Sequence, residues 1–132
     1  MSEFTKVNLR EVEDMAPRFG LSPGLESRFA REPLALEGAG VSYFRIAPNH
    51  RQPFGHRHEH QEEVYVVLTG LARLSVEDEI VELRPLDAVR VAPTAARCLE
   101  GGPEGAEVLA FGAPSDHNRD AEMLPGWWGS DP

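Results

Sequence analysis

Twelve glycines and eleven prolines are spread so evenly through 132 residues that few stretches longer than ten escape a breaker. Proline removes a backbone donor and glycine adds entropy to the unfolded chain, so long helices are excluded and the core must come from short extended segments. One short helix is expected over 9–16. Asn8 is placed to cap it, Glu11, Glu13 and Asp14 lie in its early turns, and Pro17 and Gly20 close it. The remainder divides into eight expected strands at 26–31, 41–47, 63–68, 72–76, 79–83, 88–91, 97–100 and 107–111. Their spacing of about ten residues favours an antiparallel sandwich or barrel over a strand–helix–strand order.

A chain of this length fits one domain, which buries roughly two-thirds of its unfolded surface without needing a disulfide. The expected layout is a single domain over 1–132. It has a barrel core over 25–112, an N-terminal extension over 1–24 and an extended C-terminal arm over 113–132. Cys98 is the single cysteine, and the first residues show no apolar run behind a basic patch, so a reducing, cytoplasmic setting is expected. No stretch approaches the ~20 apolar residues of a membrane span. A net charge of -9 argues against a nucleic-acid partner. Residues 100–132 carry one basic and seven acidic groups, so the arm holds most of that excess, read here as solvated surface.

Four of the five histidines fall in His50-Arg51-Gln52-Pro53-Phe54-Gly55-His56-Arg57-His58-Glu59-His60-Gln61-Glu62-Glu63. In an extended segment His56, His58 and His60 share one face, and imidazoles two residues apart can reach one metal ion. Imidazole with carboxylate suits iron, manganese, zinc, nickel or copper. Glu63 has the opposite parity to His58, so both point inward only if residues 59–62 bulge or turn. In a continuous strand Glu62 would be the carboxylate instead.

From Gly55-His56-Arg57-His58 through Glu63 to Gly70, the spacing resembles the first motif of the cupin superfamily, H-x-H-x(3,4)-E-x(6)-G. The likeness extends over residues 41–111. It implies an all-β jelly-roll barrel, a double-stranded β-helix of about this size, with His56, His58 and Glu63 matching three of a cupin's metal ligands. The second motif departs from the pattern. In Leu86-Asp87-Ala88-Val89-Arg90-Val91-Ala92-Pro93-Thr94-Ala95-Ala96-Arg97, an arginine stands where the fourth ligand, a histidine, belongs. A guanidinium has no lone pair to donate, so Arg97 is not a ligand. Two readings stay open. Either the three residues hold a metal and Arg97 grips an anionic substrate, or no metal is bound and Arg97 pairs with Glu63. His60 or His50 could supply a fourth ligand in the first reading.

Tyr65 and Val67 share parity with Glu63 and are expected to line the same cavity, with Phe54 and Tyr43 as further wall candidates. Tyr65 is a candidate acid or hydrogen-bond donor, against a barrel-filling role with its hydroxyl satisfied. Leu99 points inward with Arg97, which leaves Cys98 facing away as an inert buried thiol. Trp127 and Trp128 need a burial site: a lid over the barrel mouth, a dimer interface or the chain's own core. Ser115-Asp116-His117 reads as a turn, since nothing supplies the nucleophile of a hydrolase triad.

The resemblance thus implies one divalent transition metal and a small organic substrate. Its chemistry would be oxygen-dependent oxidation, isomerisation or decarboxylation, with His56, His58 and Glu63 as ligands and Tyr65 and Arg97 as catalytic residues. The alternative is a metal-free, non-catalytic barrel that binds or senses an anionic small molecule. A homodimer without nucleic-acid or membrane partners is expected in both cases.

Overall fold

The computed structural model describes residues 3–115 and 120–129. Eight antiparallel strands form one curled sheet: β1 (Leu25–Phe29), β2 (Gly40–Ile46), β3 (Phe54–His58), β4 (Glu62–Val76), β5 (Glu79–Leu83), β6 (Ala88–Val91), β7 (Arg97–Ala113) and β8 (Ala121–Pro125). The sheet folds into two layers because β4 and β7 are long enough to run through both. Residues 63–66 of β4 and 106–112 of β7 lie with β1, β2 and β6 in one layer. Residues 72–76 of β4 and 97–101 of β7 lie with β3, β5 and β8 in the other. Between them, Leu25, Ile46, Tyr65, Val67, Val91 and Val108 of the first layer meet Leu74, Leu83 and Leu99 of the second in one buried cluster.

Each long strand replaces two expected ones. The segments 63–68 and 72–76 are joined in β4, and 97–100 and 107–111 in β7. Gly70 reads as a turn in sequence, yet the chain bends there without leaving the sheet, and the register with β7 slips on both sides of it. Its φ is +76°, and a Cβ would lie 2.0 Å from the Gly105 carbonyl oxygen, so only glycine lets the two bends cross at contact distance.

The expected helix over 9–16 does not form. Two 3-10 turns, Leu9–Glu11 and Ala16–Phe19, stand in its place. Asn8 does cap Arg10, but residues between the turns are drawn out along β1. Met15 N–H donates to the Ser27 carbonyl, and Asp14 Oδ1 accepts from the Ala16 and Ser27 amides. Pairing with a strand outcompetes a helix of two turns, which is marginal by itself.

The expected extended arm contains a strand, β8. All five residues of β8 pair with β3. The Trp127-Trp128 turn then docks on the chain's own barrel. The Trp127 ring lies against Gly55, where a Cβ would meet it at 2.6 Å. Trp128 is 5% exposed, the Arg51 guanidinium stacks 4.0 Å over its ring, and Gly129 N–H donates to Ser75 Oγ. Asp116 and His117 lie outside the described residues.

Candidate metal centre

β3 and the first half of β4 belong to different layers, and their inward side chains meet at one end of the barrel. His56 and His58 project from alternate positions of β3, their rings 5.0 Å apart and edge to face. The chain turns at residues 59–61, and this reverses the side-chain parity of β4 relative to β3. Glu63 therefore points inward, while Glu62 is 54% exposed and pairs with Arg90 on the outside. One ligand atom from each of His56, His58 and Glu63 falls within 4.8 Å of the others.

Glu63 is the hub. Its Oε1 lies 3.1 Å from His56 Nε2, 3.4 Å from His58 Nε2 and 3.7 Å from Arg97 Nε, and it accepts the Tyr65 hydroxyl at 2.8 Å. Burial alone would raise its pKa. The neighbouring imidazoles and the Arg97 charge outweigh that and hold the carboxyl well below the usual range, so it is an anion. Tyr65 is 2% exposed, and burial followed by the Glu63 charge pushes its phenol well above 10. Its hydroxyl is thus a fixed donor to Glu63.

The two nitrogens of His58 differ. Nδ1 lies 2.7 Å from Asp120 Oδ1. Nε2, on the Glu63 side, is buried and has no hydrogen-bond partner among the described residues. Burial disfavours the charged imidazole, but the Glu63 and Asp120 carboxylates outweigh it and raise the pKa above 6.5. Asp120 also accepts the His60 and Gln61 amides on Oδ2, which pins the turn before β4. Sequence reasoning missed Asp120. It lies 62 positions from His58 in an acidic arm, and nothing in its spacing separates it from solvated carboxylates.

Arg97 is the Cα partner of His56 across β3 and β7, which places it beside the cluster. It is 1% exposed, and its two terminal nitrogens donate to the Pro93 and Ala92 carbonyls at 3.2 and 3.3 Å. His60 stands away from the cluster with its side chain 72% exposed, and the His50 ring packs against Gly24. Cys98 is fully buried, and loss of hydration pushes its thiol up to about 12. Tyr43, expected as a pocket wall, points instead to the outer face and donates its hydroxyl to Glu107. Beside the cluster an open cleft of about 430 Å³ is lined by Arg57, His58, Glu59, Thr94, Asp120 and Glu122.

A two-layered antiparallel barrel with a His/His/Glu cluster at one end is the class of molecule that these observations define. No protein-family model matches the chain, and no curated protein matches it. Solved structures do. A cupin protein from Bacteroides fragilis superposes with a TM-score of 0.71 at 22% identity, over 100% of this chain and 97% of that one. A Streptomyces PAC13 variant with uridine gives 0.70 at 16% identity, over 90% and 89%. Oxalate decarboxylase from Bacillus subtilis gives 0.74 at 18% identity over 94% of this chain, which spans about a third of that protein (33%). The chain has the cupin fold, as the motif in residues 55–70 implied.

Proposed function

We propose that the protein binds one divalent transition metal through His56, His58 and Glu63 and acts with it on a small organic molecule. The observation that carries this reading is the buried, unpartnered Nε2 of His58, beside a carboxylate and a second imidazole. Leaving such an atom unsatisfied costs about 1–3 kcal/mol, and a cation bound there removes that cost. The donor set suits iron, manganese, zinc, nickel or copper. When bound, the ion supplies Lewis-acid polarisation of a substrate oxygen and, for a redox metal, access to oxygen-dependent oxidation; isomerisation or decarboxylation needs only the first.

The chain's own residues prepare that site. Tyr65 orients Glu63 through its hydroxyl, and Thr94 and Arg57 offer donors along the cleft. Among the structural neighbours one is named for oxalate decarboxylation and another holds uridine, which supports a small polar substrate. Elemental analysis of the purified protein beside His58→Ala tests the reading. Near-stoichiometric metal is expected in the first and little in the second; sub-stoichiometric metal in both refutes it.

Arg97 favours a second reading, in which its charge beside Glu63 replaces the ion and the barrel binds a small acid without catalysis. In that case small carboxylates raise the melting temperature, and Arg97→Ala abolishes the effect.

A further inference from the structure

We infer that Asp120, delivered by the C-terminal arm, is a positioning residue of the metal centre that holds His58 as its Nδ1–H tautomer and so leaves the Nε2 lone pair for the ion. The inference rests on the metal-binding reading, but its core, the tautomer, can be read without metal.

A neutral imidazole has one N–H and one lone pair, and the hydrogen bond made by one nitrogen decides the role of the other. An ionised carboxylate only accepts. Asp120 Oδ1, 2.7 Å from Nδ1, therefore requires the proton on Nδ1. In the neutral ring Nε2 then carries the lone pair, and it is buried 3.4 Å from Glu63 Oε1. Carboxylates placed in this way behind metal-binding histidines orient the ring and raise its basicity, and their loss weakens metal binding by about 10–100-fold. Asp120 is itself held. Its Oδ2 takes the His60 and Gln61 amides, and Ala121, the next residue, pairs with His58. The residue just before β8 thus joins the site, while β8 covers the edge of β3.

Two variants separate orientation from mere pinning of the turn. Asp120→Ala removes both functions. Asp120→Asn keeps one oxygen acceptor, which serves either Nδ1–H or the two amides, while its NH2 group can only donate. The measurements are zinc affinity by competition with a chromophoric chelator, and ¹⁵N spectra of the His58 ring at alkaline pH. Expected are a protonated Nδ1 in the wild-type protein, a mixed tautomer with about 10–100-fold weaker zinc binding in Asp120→Ala, and in Asp120→Asn a zinc affinity that follows the tautomer its spectra show. An unchanged tautomer in Asp120→Ala, or a zinc affinity that does not follow the tautomer across the two variants, overturns the inference. If the wild-type protein takes up none of iron, manganese, zinc, nickel and copper, the metal reading fails by itself, and the tautomer alone then decides for or against Asp120.

Discussion

Three members of the site, His56, His58 and Glu63, fall within eight residues, so their spacing was legible once an extended segment followed by a turn was assumed. Arg97 was legible only as a departure from a motif, and the structure gives that departure its physics. The guanidinium shares the inward side of β7 with Leu99, lies beside His56 and stands 3.7 Å from Glu63 Oε1. A fixed cation so close to a divalent ion opposes binding by about 4 kcal/mol per unit charge before relaxation, at an effective dielectric of about 20. Arg97→His replaces that repulsion with a neutral nitrogen donor. Metal affinity should then rise by at least about tenfold, since each 1.4 kcal/mol is worth that factor. The metal-free variant should melt lower, because the Ala92 and Pro93 carbonyls lose their donors, at about 1 kcal/mol for each hydrogen bond. Chelator competition checks the first effect, and unchanged or weaker affinity would refute the repulsion argument.

Strands were legible where apolar residues alternate and illegible elsewhere. β3 is built from Phe-Gly-His-Arg-His and β8 from Ala-Glu-Met-Leu-Pro, and neither carries a period-two pattern. They exist because they complete each other's backbone hydrogen bonds. That pairing brings Trp127 and Trp128 onto the outer face of the second layer, and this explains a burial pattern that parity alone leaves odd. Ser75 and Cys98 are cross-strand partners facing outward, since their neighbours Leu74 and Leu99 are in the core, yet both are fully buried. Gly129 is anchored on Ser75 and Trp128 stacks under Arg51 on that side, and the Gln52 and Phe54 carbonyls lie 3.5 Å from the Cys98 sulfur. Trp128→Ala should therefore destabilise the protein by about 3 kcal/mol and expose the thiol. The measurements are thermal melting and the alkylation rate of Cys98 in the folded state. A variant that melts lower while Cys98 stays inert would show that the arm does not cover it.

Across the whole molecule the formal charge of -9 suggests a chain strained by its own acidity, but the carboxylates with the strongest contacts are paired. Glu100 takes Arg73 at 2.6 Å and Arg51 at 2.8 Å in one layer; Glu26 holds Arg28 and Arg45 in the other. Glu107 accepts from Tyr43, Thr69 and Arg10, and Asp120 ties the arm to the site. In Glu26, Glu100 and Asp120 burial raises the pKa but the partners outweigh it; in Glu107 the Tyr43 hydrogen bond leads the lowering. All four lie below their ordinary values, Asp120 at about 2 against 3.8. The folded state then binds fewer protons than the unfolded chain on the acid side, so stability rises with pH there. Each group's contribution is complete above its unfolded pKa, near 4 for carboxylates, and is lost as pH falls through the depressed folded value. Urea unfolding at a series of pH values should give a plateau above about pH 5 and a progressive fall toward about pH 2. Glu100→Gln should be less stable on the plateau and show a shallower fall, because one proton has left the balance. Stability independent of pH down to about 3, or a variant with the full wild-type slope, would mean that these ion pairs contribute nothing net to the fold.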